Sequence, residues 1–206
     1  MREKSAPRPP IDFHHDRFTQ ISESHCGPAV IQMLLFNLGI EVTQETITEA
    51  GEASALIEQQ GMRIDQLMRA VQQLAPQTRF WYKDHSEIKE MVQIVDDYDY
   101  PVGIEWQGLF EDTLEDETQD SDYGHYSVVT LTDAKNRNLV IVDPYKDFRS
   151  QDRIFTFEFF MSRWWDVNNI SDPLTGKDRL VEDRQMMFII TPEEATFPRL
   201  LGMKGE

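Results

Sequence analysis

The chain has 206 residues, 40% of them hydrophobic and 11% aromatic, enough to bury the core of one substantial domain or at most two small ones. A formal net charge of -17 argues against nonspecific binding to nucleic acid or anionic membrane, whose affinity comes from Lys and Arg, and leaves a basic partner favoured. No apolar run approaches the ~20 residues needed to cross a bilayer. The opening MREKSAPRPPIDFHHD is charged but lacks the apolar centre of a signal peptide, and one cysteine permits no internal disulfide. A cytoplasmic protein without membrane insertion is therefore expected.

In chain order, residues 1–12, with SAPRPP, read as an extended arm, because proline fixes φ and removes donors. From Cys26 the apolar residues Ala29, Val30, Met33, Leu34 and Leu38 recur at helical steps. Leu35 and Phe36 widen that stripe until the helix belongs inside a domain, and Gly39 is a plausible stop. Thr43 can cap a helix to about Ala50. Ile64, Leu67, Met68, Val71 and Leu74 mark another, which Pro76 ends. RFWY (79–82) is a short strand, and Ser86 can cap a helix through Ile88, Met91, Val92 and Val95.

The character then changes. The stretches 101–107, 125–132, 138–143 and 184–191 are rich in β-branched and aromatic residues and read as strands; the turn DAKNR (133–137) makes the second and third a hairpin. A last helix, capped by Thr156, carries Phe157, Phe160, Met161, Trp164 and Trp165. Helices first and an antiparallel sheet second predict an α+β domain over residues 13–192, with a tail over 193–206 and the Cys26 helix packed on the sheet. The run EDTLEDETQDSD (111–122) is a solvated acidic loop, since like charges at this density repel; it lacks the glycine of an EF-hand.

Cys26 could be a buried thiol, a metal ligand or a nucleophile. A zinc site from His14, His15, His25 and Cys26 fits poorly, because adjacent histidines in an extended arm point apart and no C-x2-C partner exists. No metal is expected. A thiol becomes reactive when its pKa is lowered by a helix N-terminus or an imidazolium. The helix beginning at Cys26, with Pro28 in its first turn, supplies the first. His125 is the best source of the second, because the hairpin returns Asp143 to the same edge, where a carboxylate can fix the imidazole's tautomer. Gln20, with the Cys26 N–H, could hold an oxyanion. Trp106, at a strand end, is a candidate substrate-binding wall but reads better as core; Gly124, the other substrate-binding candidate, suits a turn or close backbone approach and could also expose the His125 imidazole to substrate.

The set Q-x5-C-G-P-A before an apolar helix, then G-H-Y-x-V-V, then V-D-P, resembles the C39-like branch of the papain-like cysteine peptidases. The resemblance implies a papain-like α+β fold, with Gln20 as oxyanion donor, Cys26 as nucleophile, His125 as general base and Asp143 as orienting residue. It also implies cleavage of a peptide or protein substrate without a cofactor; the acidic surface favours a basic one. No nucleotide-binding G-x4-G-K-[ST] occurs, so the chain looks like a stand-alone relative of the transporter-fused members. The same residues are compatible with acyl transfer of the transglutaminase or phytochelatin-synthase kind. An unreactive acidic module binding a basic partner is the non-enzymatic alternative.

Overall fold

The computed structural model describes residues 17–108, 124–171 and 178–205. The expected N-terminal arm, His14, His15 and the acidic run 111–122 lie outside them.

The apolar stretch at Cys26 forms helix α1 (Cys26–Phe36), nearly every side chain of which is buried, and Gly39 takes φ +76° in the turn behind it. Thr43 accepts a hydrogen bond from the Thr46 N–H and so starts α2 (Gln44–Ala50), as its residue type predicts. A single turn, α3 (Ile57–Gln60), precedes α4 (Ile64–Leu74), which buries Leu67, Ala70 and Val71. Strand β1 (Thr78–Lys83) follows, then α5 (Ile88–Val92), which runs on as π-helix through Gln93–Asp97. Its N-cap is Glu87; Ser86, expected there, instead donates its hydroxyl to the Lys83 carbonyl.

The rest of the chain is mostly strand: β2 (Val102–Gln107), β3 (Gly124–Asp133), β4 (Asn138–Val142) and β5 (Arg153–Thr156). Helix α6 (Phe157–Arg163) is capped by Thr156 as expected, but it ends before the two tryptophans. Trp165 opens β6 (Trp165–Ser171), which pairs with β7 (Asp178–Arg184) in a separate two-stranded sheet. Strand β8 (Met187–Pro192), the short α7 (Phe197–Leu200) and β9 (Lys204–Gly205) complete it. The main sheet is seven-stranded and antiparallel throughout, in the order β5-β4-β3-β2-β8-β1-β9.

Residues 193–205 were expected as a tail, and the structure corrects this. β9 pairs with β1 at the sheet edge, Met203 is buried, and Phe197 stacks on Tyr98 with ring centroids 4.0 Å apart.

The two faces of the sheet bury different sets of residues because side chains alternate along a strand. Phe80, Tyr126, Val128, Val142, Phe188 and Ile190 face α1, α2 and α4. Their neighbours Trp81, Val129, Ile141, Met187 and Ile189 enter a second core with α5 and α6. Burial on both faces explains why β8 opens on the continuous apolar run MFII, and β2 is buried along its whole length although it carries Glu105 and Gln107. Among the described residues no helix is long and apolar enough to cross a membrane.

Candidate active site

Cys26 is the first residue of α1 and is nearly buried, at 8% exposure. The N-cap, His25, makes no side-chain cap and the first turn holds no acidic residue, so the positive end of the helix is not neutralised locally. The His25 imidazole is engaged elsewhere: its Nδ1 lies 2.6 Å from Ser22 Oγ, which itself donates to Glu58 at 3.0 Å. Sequence adjacency to Cys26 therefore does not make His25 its base.

His125 is the imidazole found beside Cys26. It is the second residue of β3, 3% exposed, and its Nε2 lies 2.8 Å from Asp143 Oδ1. Asp143 follows directly on β4 and is fully buried. Burial by itself would lower the His125 pKa. The Asp143 charge and hydrogen bond, joined by a hydrogen bond with Cys26 and its charge, outweigh that and raise it to about 10. Asp143 shows the converse: burial would raise its pKa, but His125, then Arg153 and the Tyr145 N–H, bring it down to about 2. With Nε2 committed to Asp143, Nδ1 is the nitrogen left for Cys26.

The other side of Asp143 was not foreseen from sequence. Arg153 Nη1 donates to Asp143 Oδ2 at 2.6 Å, and the Ser127 hydroxyl lies 3.4 Å from the same oxygen. Trp106 Nε1 donates to Ser127 Oγ at 3.1 Å. Trp106, a candidate substrate-binding residue, is wholly buried, packs against Phe155 and Phe160, and so cannot wall a subsite. Its indole has a supporting place beneath Asp143 instead. Arg153 is an isolated cation in a short strand, and only the β4–β5 pairing reveals its partner.

Gln20 is drawn to the same corner, its backbone N–H donating to the Pro144 carbonyl at 2.9 Å. One N–H of its side-chain amide is spent on the Ser22 carbonyl at 2.7 Å, leaving the second, and Oε1 is buried without a hydrogen-bond partner among the described residues. Gly124 is exposed beside His125, and a Cβ there would stand 2.6 Å from both carboxylate oxygens of Asp166. That close approach gives the glycine a structural reason.

Asp166 belongs to a buried acidic group that the sequence did not reveal. Glu105, the cross-strand neighbour of Tyr126, accepts from the Tyr126 hydroxyl at 2.8 Å and from Asn168 at 3.3 Å. Burial, together with the Asp183 charge and against its hydrogen bonds, raises the Glu105 pKa to about 7. The Tyr126 ring packs against the first turn of α1, 3.3 Å from where a Cβ on Gly27 would lie. Among the described residues no group of three or more His, Cys, Asp or Glu side chains could hold a metal ion.

A nucleophile type at a helix N-terminus, an imidazole against it and a carboxylate behind form the arrangement of a thiol acyl-transfer site. A family model, described as the Peptidase_C39 like family, matches residues 14–171. The chain belongs to the Peptidase_C39 like family. Among solved structures it is similar to the peptidase domain of Streptococcus ComA, a bi-functional ABC transporter involved in a quorum-sensing pathway. The identity is 18% with a TM-score of 0.55, covering 85% of this chain and 97% of that domain. At that identity the likeness concerns the fold, which is the expected papain-like α+β one. No curated protein matches the chain. Family and fold together support a function of the cysteine-peptidase type.

Proposed function

We propose that the chain is a cysteine peptidase, or a closely related amide hydrolase, with Cys26 as nucleophile, His125 as general base and acid, and Asp143 orienting His125. Gln20 and the Cys26 N–H act as oxyanion donors. The observation that carries this reading is the 2.8 Å contact of His125 Nε2 with Asp143, which leaves the ring's other nitrogen to Cys26.

His125 takes the proton from Cys26 Sγ, and the thiolate attacks the substrate carbonyl carbon to form a C–S bond. The carbonyl electron pair moves onto oxygen, where the Cys26 N–H and the uncommitted Gln20 N–H receive it. Collapse breaks the C–N bond while His125 returns the proton to the leaving nitrogen. Water, deprotonated by His125, then attacks the thioester; the C–S bond breaks, and the proton restores the resting pair. These steps call on no metal or organic cofactor. The substrate is a peptide or protein, and the net charge of -17 favours a basic one. The place of action is the cytoplasm, in keeping with a single free cysteine.

The test is cleavage of Lys-rich and Glu-rich peptide pools by wild type and Cys26→Ser, read by mass spectrometry with and without an added amine. Cleavage by wild type alone supports the reading, and a preference for the Lys-rich pool supports the charge argument. A transfer product with the amine would reassign the second half-reaction to acyl transfer. Equal cleavage by both proteins, or none by either, would contradict the reading.

A further inference from the structure

Asp143 has two cationic partners where orienting a histidine needs one. Its Oδ1 accepts from His125 Nε2 at 2.8 Å and from the Tyr145 N–H at 2.9 Å. Its Oδ2 accepts from Arg153 Nη1 at 2.6 Å, and Arg153 is itself 7% exposed at the side chain. The guanidinium carbon lies over Phe148, 3.9 Å from the ring centroid, with Phe155 at 5.0 Å and Trp106 at 5.5 Å. The loop bearing Phe148 is fastened in turn by Arg17, which donates to the carbonyls of Phe148 at 2.7 Å and Gln151 at 2.6 Å. A buried cation this enclosed keeps its charge, because guanidinium does not deprotonate in proteins.

We propose that Arg153 is a positioning residue that balances the charge of Asp143 while His125 alternates between imidazolium and imidazole. This rests on the triad reading given above.

The reason lies in counting charge through the reaction. Once His125 has taken the proton from Cys26, the thiolate, imidazolium and Asp143 carboxylate sum to one negative charge, and Arg153 makes the buried set neutral. When His125 passes its proton to the leaving nitrogen, the carboxylate would be a fully buried anion with no cation beside it, a costly state. Without Arg153 the carboxylate would hold the proton on His125 and resist that step. With Arg153 on Oδ2, Asp143 stays ionised whether or not His125 is charged, and the imidazolium can act as an acid. Arg153 therefore lowers the proton affinity that Asp143 alone would impose on His125. It also fixes the carboxylate plane, since the two oxygens are held from opposite sides.

The test compares wild type, Arg153→Gln, which keeps a donor but removes the charge, and Arg153→Lys, which keeps the charge. The His125 pKa is read by imidazole 15N NMR, assigned by the resonance missing in His125→Asn, with Cys26 alkylation by iodoacetamide followed across pH. The expected result is a His125 titration about one unit higher in Arg153→Gln and within a few tenths of wild type in Arg153→Lys. If Arg153→Gln does not fold, Arg153→Lys still decides, since a shift of about one unit in a variant that retains the charge would overturn the proposal. An unmoved titration in Arg153→Gln, with loss confined to melting temperature, would also overturn it, leaving Arg153 as a packing residue. Failure of the triad reading looks different: wild-type Cys26 would then alkylate as an ordinary thiol, near pH 8.5.

Discussion

His125 and Asp143 meet along a diagonal of the β3–β4 hairpin, because over the paired stretch residues 128–133 of β3 face 138–142 of β4, one residue fewer. Near the turn Leu131 pairs with Val140, but beyond Thr130 the pairing becomes Val129 with Ile141 and Val128 with Val142. That one-residue bulge carries Asp143 opposite Ser127, on the same face as His125 two positions away. In unbroken register Asp143 would stand opposite Val128, on the face turned to α1.

Deleting Thr130 is therefore expected to abolish the low-pH reactivity of Cys26, whereas Thr130→Ala, which keeps the residue count, should leave it within about twofold. Alkylation rates across pH check both variants. Equal behaviour of the two would mean that the bulge does not set the pair.

Much of this was legible in the sequence. The apolar stripe from Cys26 gave α1, and DAKNR gave the hairpin that returns Asp143 towards His125. The bulge was not legible, because nothing in SVVTLT marks which residue is extra. β6 and β7, WDVNNIS and DRLVEDR, lack apolar alternation since they form a two-stranded sheet outside the main one. The segment after 192 reads as a tail because its hold rests on few contacts, chiefly buried Met203 and the stacked Phe197. Arg153 and the Glu105 group were invisible for another reason: each is defined by a partner that only topology supplies.

Gln20→Ala should lower kcat by about 10²–10³-fold with little change in KM, because an oxyanion donor acts only as charge develops. Steady-state kinetics on a cleaved peptide check this. A change confined to KM would assign Gln20 to substrate binding. Its backbone bond to Pro144 survives the substitution, so the loop should stay in place.

Gly124→Ala places a methyl 2.6 Å from the Asp166 carboxylate, whose Oδ1 accepts from Gln107 at 2.9 Å and is not free to move away. A loss of about 1–3 kcal/mol of stability is expected. The double variant with Asp166→Ala should recover part of it relative to Asp166→Ala alone, as denaturant melts would reveal. Additive losses would show that the close approach is not the cause.

Glu105 makes the fold lose stability as pH rises from acid to neutral. Its carboxyl is raised from the ordinary 4.5 to about 7. Between those values the folded chain holds a proton that the unfolded chain has lost, so stability falls as pH rises through that window and stays lower above it. Glu105→Gln should match wild type near pH 4 and exceed it by about 1–3 kcal/mol at pH 8. The check is melting temperature against pH for both proteins, and parallel curves would count against a buried protonated Glu105.

Within the His125–Asp143 pair the two partners run in opposite senses. His125, raised from 6.5 to about 10, contributes stability that is full below pH 6.5 and lost as pH rises through 10. Asp143, lowered from 3.8 to about 2, contributes above pH 3.8 and loses it as pH falls through 2. Across the intervening neutral range both partners are charged. The measurement that tests this most directly is the rate of Cys26 alkylation by iodoacetamide against pH, in wild type and His125→Ala, read by intact mass. The account predicts a reactive thiolate persisting well below the free-thiol pKa of about 8.5 in wild type and lost in the variant. A slow reaction rising near that value in both proteins would contradict it.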